Sequence, residues 1–130
     1  MKTIASLLLL VLIGTSSFAQ EKKEFNMESW PALKAFHGVM SQTFHPSEDG
    51  NLEPIKSRAT EMKEKATALA ESKIPADLNN AKVKDAISRL KENTVVLEKM
   101  IADKKSDAEI KDYLKTLHDT FHEIVGLCRS

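Results

Sequence analysis

Two histidines four residues apart, His118 and His122, stand near the end of the chain in the run Leu114-Lys-Thr-Leu-His-Asp-Thr-Phe-His-Glu-Ile-Val-Gly-Leu-Cys128. On a helix that spacing puts both imidazoles on one side, roughly 6 Å apart along the axis, a separation from which two rings can reach one metal ion. The chain has two further histidines, His37 and His45, and none between residues 46 and 117. Neutral imidazole ligates zinc, copper, nickel or iron, and a thioether such as that of Met40 adds a preference for copper(I). The expected ligand set is His37, His118 and His122, with Met40, His45 or water in a further position. A purely structural role for partly buried histidines is the competing expectation.

Other chemistries have less to work with. A di-iron carboxylate centre needs Glu-x-x-His on two helices, and no Glu precedes a His by three residues; Asp119-x-x-His122 is a single near match. Cys128 lies six residues beyond His122, roughly 9 Å along a helix, which leaves the thiol without a base and fits a small core residue. Glycine-rich phosphate loops and a nucleophile elbow are absent from the sequence. The expectation is a binding protein, with an enzyme as the alternative only where its activity is metal-centred.

Positioning three histidines requires helices, and the apolar periodicity supplies them. Ile110, Leu114, Leu117, Phe121, Ile124 and Cys128 recur at alternating spacings of three and four, the stripe of a helix packed in a bundle. Ser106, with Glu109 three residues on, is a capping box that starts this last helix. A first helix is expected to start near Ser29, helped by Pro31 in its first turn, and to run to about His45 before Pro46, with Leu33, Phe36, Met40 and Phe44 or Thr43 inward. A second begins near Glu53-Pro54 with Leu52, Ile55, Ala59, Met62, Ala66 and Leu69 inward and stops before Pro75. A third opens between Asp77 and Asn80 and carries Val83, Ile87, Leu90, Thr94, Leu97 and Ile101.

Four helices on short connections, each with one apolar stripe, bury those stripes only against one another. The predicted fold is all-α, an antiparallel up-down-up-down four-helix bundle over residues 29–130, after a lead-in at 20–28 anchored by Phe25 and Met27. Four glycines in all and no period-two alternation argue against strands. In this order the first and last helices are neighbours, and if His45 is level with Asp107, then His37 falls opposite Lys115, within a turn of His118. His45, roughly 12 Å further along the axis, is expected to join only if the first helix unwinds before Pro46.

Residues 1–19 have the order of a secretory signal peptide: Lys2, the apolar run Leu7 to Ile13, then small residues with Ser17 and Ala19 placed for cleavage. Seven apolar residues are too few for a membrane span, so the mature chain is expected in a periplasm or secreted. Cleavage removes Lys2 alone from 19 basic residues and leaves 19 acidic ones, a balance with no basic stripe for nucleic acid. With a single Cys, no internal disulfide can staple the fold in an oxidising compartment. A redox or metal-handling protein is the expected partner, with pairing of two bundles through the first and last helices as a further arrangement.

Leu114-Lys115-Thr116 followed by Phe121-His122 resembles the close of the last helix in the cytochrome b562 family, exported four-helix bundles that bind haem non-covalently. Asn26-Met27-Glu28-Ser29 is similar to that family's start, where a Met is the second axial ligand. The resemblance implies haem b held by Met27 and His122 and a role in electron transfer. His118, however, falls where the family has no ligand, and His37 faces it. The multi-histidine metal site is therefore the preferred expectation, haem the alternative, and a cofactor-free interaction bundle the third.

Overall fold

The computed structural model describes residues 24–130, so the signal sequence expected at 1–19 lies outside the described residues. Four α-helices follow one another: α1 Pro31–Glu48, α2 Glu53–Glu71, α3 Ala81–Ala102 and α4 Asp107–Cys128, with single 3₁₀ turns at Met27–Ser29 and Ala76–Leu78. Consecutive helices pack against each other and α4 returns to α1, which is the predicted four-helix bundle; the described residues contain no strand. The α1–α4 seam is the most loosely packed of the four. No helix among the described residues is long and apolar enough to cross a membrane.

Each helix starts where a side chain or a proline deals with orphan amides. Pro31 stands at the first position of α1, where its missing N–H costs nothing. Asn80 accepts from the Val83 amide to open α3, and the Ser106–Glu109 capping box opens α4 with both reciprocal bonds formed. The α1–α2 turn passes through Gly50 at φ +84°, a left-handed backbone in which glycine meets no Cβ penalty. After α3 the same role falls to Lys104 at φ 54°, whose amide closes onto Ile101 O at 3.1 Å.

The stripes read from the sequence form the core. Leu33, Phe36, Met40, Ile55, Met62, Leu69, Val83, Leu90, Leu97, Ile110, Leu114, Leu117, Phe121 and Ile124 are all buried. Phe44 and Thr43 are both inward, and Ile101 is only half-buried because α3 ends one residue later. Trp30 closes one end of the bundle, buried, with its Nε1 donating to Ser72 Oγ at 3.1 Å. Phe25 and Met27 pack against the core as the anchors of the lead-in.

Two expectations about α1 are corrected. The helix begins at Pro31, not Ser29, since residues 27–29 form a 3₁₀ turn capped by Asn26, whose side chain accepts from the Glu28 amide. It also runs through Pro46 to Glu48. A proline in a last turn forfeits one amide bond and leaves few others to disturb, and the Asp49 and Asn51 amides close onto Pro46 O at 3.1 and 3.0 Å. The helix stops where Gly50 reverses the backbone.

Candidate metal centre

The register of α1 against α4 differs from the expected one by more than the added turn of α1. Lys111 Nζ reaches Glu48 O at 3.4 Å, Phe44 lies against His118, and His37 lies against Phe121. Relative to the pairing of His45 with Asp107 expected from the sequence, α4 is displaced by about two helical turns. His37 therefore stands beside Phe121 and His122, where Lys115 was expected opposite it. The same displacement brings His45 up to the histidines of α4 without any unwinding of α1. His37, Met40, Ser41, His45, His118, Phe121 and His122 line one cavity of about 180 Å³ in the α1–α4 seam.

Within it, His118 and His122 face each other. Their Nε2 atoms are 3.0 Å apart and their rings meet edge to face with centroids at 4.4 Å. Without metal this is a hydrogen bond in which one ring donates Nε2–H and the other accepts. Two nitrogens bound to one tetrahedral zinc at about 2.0–2.1 Å each stand about 3.3 Å apart, so the separation of the hydrogen-bonded pair is close to that of a chelating one, which also requires both rings to turn until their lone pairs converge on the ion.

His118 is held on two sides. Its ring stacks on Phe44 with centroids at 3.8 Å and an interplanar angle of 11°, fixing the plane in which Nε2 points at His122. Its Nδ1 lies 3.6 Å from Asp119 Oδ1, a carboxylate on the outer nitrogen that favours the Nδ1–H tautomer and leaves Nε2 free to accept or to ligate. In that tautomer His122 supplies the Nε2–H of the shared bond, and a metal would require His122 to move that proton to Nδ1. Burial, with the neighbouring His122 as a smaller cause, pushes the His118 imidazole below its usual range, against the opposing pull of Asp119 and Glu48. Asp119 itself is held below the usual carboxylate range, chiefly by its hydrogen bond with Lys115 at 2.9 Å.

His37 and His45 are looser members. The His37 ring lies over Phe121 with centroids at 5.4 Å and planes 20° apart, and His45 Nδ1 is 3.1 Å from Glu48 Oε2 on the exposed rim. Among the described residues no three His, Cys, Asp or Glu side chains are gathered at metal-binding distance. The structure thus brings the four histidines to one cavity and sets His118 and His122 within hydrogen-bonding distance of each other.

Met27 does not belong to this cavity. It sits in the 3₁₀ turn ahead of α1, packed on the core, and the cavity holding His122 is smaller than the roughly 300–1,000 Å³ of pockets that enclose an organic ligand. The residues present do not fit a haem held between Met27 and His122. Cys128 is a core residue at the end of α4, its thiol pushed up by burial and, less, by Asp77.

Two contributors were missed in the sequence. Phe44 had been assigned to the core alone, and Asp119 weighed only as a di-iron ligand. The adjacency of Asp119 to His118 was visible, but which ring nitrogen it meets depends on rotamers that spacing does not specify. Comparison of the chain with protein-family models, with curated proteins and with solved structures finds no match.

Proposed function

We propose that this protein is an exported four-helix bundle that binds a transition metal ion through the histidines of α1 and α4. The observation that carries the reading is the 3.0 Å approach of His118 Nε2 to His122 Nε2 on a cavity that also holds His37, His45 and Met40. The α4 pair takes the ion first. His37, exposed and free to change rotamer, closes on it as the third ligand, and His45, Met40 or water completes the shell. Imidazole donors suit zinc, copper, nickel or iron, and the buried Met40 thioether favours copper(I) among them.

Export rests on Lys2, the apolar run Leu7 to Ile13 and the small residues before Gln20. In such a compartment the role is to hold or hand on a metal, with a metal-handling or redox protein as the partner. Because both protomers of a pair would present α1 and α4, homodimerisation through that seam is compatible with the same site.

Calorimetric titration of the wild type and of His37→Ala, His118→Ala and His122→Ala with zinc and with copper tests the reading. Loss of at least tenfold in affinity is expected for each α4 variant and a smaller loss for His37→Ala. Equal affinity in all four proteins would return the histidines to a structural role.

A further inference from the structure

A second cavity, of about 610 Å³, opens between the last turn of α2, the connection after it and the first half of α3. Its volume lies within the roughly 300–1,000 Å³ of small-molecule pockets. Ala70, Ile74, Ala76 and Ile87 give it apolar walls, and among the described residues Lys73, Lys84 and Lys91 are the charged ones that line it. Lys84, Ile87, Ser88 and Lys91 fall at spacings of three and four on one face of α3, where Ile87 is buried in the core at the floor of the groove and Ser88 is exposed between the two cations. Some lysines of the described residues are matched to carboxylates, as Lys56 is to Asp107 at 2.7 Å, Lys63 to Glu98 at 2.7 Å and Lys115 to Asp119 at 2.9 Å, while others, such as Lys65, Lys82 and Lys105, are in none of these ion pairs. Lys73, Lys84 and Lys91 do not appear in the ion pairs of the described residues.

Three cations on an apolar groove without a carboxylate select a ligand that carries both an anionic head and a hydrocarbon body. We propose that this groove binds a single-chain fatty carboxylate, its alkyl chain along Ala70, Ile74, Ala76 and Ile87 and its carboxylate among the three lysine ammoniums. Inorganic phosphate or acetate would satisfy only the charges, and a long-chain alcohol only the walls. The site is built by α2 and α3 and is independent of the histidines.

The molecule carries its own reporter. Trp30 is the only tryptophan of the chain, and its indole Nε1 donates to the hydroxyl of Ser72, a lining residue of the groove. Decanoate, used below its micellar concentration and titrated into the full chain, is expected to bind saturably by calorimetry and to shift Trp30 emission over the same range. Decanol and acetate are expected to bind at least tenfold more weakly. The triple variant Lys73→Gln/Lys84→Gln/Lys91→Gln should lose at least tenfold in decanoate affinity, and the triple arginine variant should retain binding. Equal affinity for decanoate and decanol, an unchanged affinity in the glutamine variant, calorimetric binding without a Trp30 response, or no saturable binding below millimolar decanoate would each overturn the proposal. The comparison of decanoate with decanol on the wild type stands even where a variant fails to fold.

Discussion

His118 and Phe44 stack face to face across the α1–α4 seam, ring centroids 3.8 Å apart and planes 11° from parallel. One ring belongs to the core stripe of α1 and the other carries the nitrogen directed at His122. The contact therefore couples the packing of the bundle to the aim of a ligand atom, and mutations on either side of it separate the two effects.

Phe44→Leu keeps an apolar side chain in the seam and removes the stacking face. Aromatic pairs contribute about 0.5–1.5 kcal/mol beyond their buried area. The variant should be less stable by about 1–2 kcal/mol in urea unfolding and should also bind metal more weakly, since His118 then has to be ordered on binding. Lost stability with unchanged metal affinity would show that Phe44 is only a core residue.

The depressed His118 imidazole makes stability depend on pH in a stated direction. The unfolded chain takes up a proton on this residue near pH 6.5 and the folded chain only at lower pH, so below about 6.5 the unfolded state binds more protons. Stability contributed by the neutral form is present above pH 6.5 and falls as the solution is acidified toward the folded value. In urea titrations between pH 7.5 and 5 the His118→Gln protein should lose less stability than the wild type. Identical pH profiles would contradict the burial of this ring in its neutral form.

Helix ends offer tests that leave the site alone. Ser106→Ala removes the hydroxyl that accepts from Glu109 and is expected to cost about 1 kcal/mol. Lys104→Gly relieves a left-handed lysine and should raise stability by about 0.5–1 kcal/mol. Both should leave metal affinity within twofold, as read by calorimetry; a larger change would tie the α3–α4 turn to the site.

Much of the fold was legible because helices announce themselves by period. The stripe from Ile110 to Cys128, the capping box at Ser106 and the row from Leu52 to Leu69 are local signals, and each is found as expected. The register between α1 and α4 was not local. Whether Pro46 ends α1 or rides in its last turn, a choice worth one amide bond, accounts for about one turn of the two by which α4 is displaced along α1; the rest comes from how the two helices pack side by side. The candidate histidines were found by type and confinement to two helices, but the distinction between the ordered pair His118–His122 and the looser His37 and His45 lay in contacts with Phe44, Phe121, Asp119 and Glu48. Those contacts follow from tertiary register, which a single sequence does not state.

The alternative ligand pair also has a distinct signature. Met27 does not line the cavity that holds His122, so added haem should give no low-spin spectrum that depends on both residues. A Soret band and low-spin spectrum lost in both Met27→Ala and His122→Ala would establish the haem pair against this expectation.

The most direct test follows the imidazole nitrogens themselves by long-range proton–nitrogen NMR as zinc is added near pH 7.5. The account predicts that Nε2 of His118 and Nε2 of His122 move together to the metal-bound range at one equivalent of zinc, while Nδ1 of His118 keeps its proton toward Asp119. Unchanged Nε2 signals of His118 and His122 at saturating zinc would contradict it.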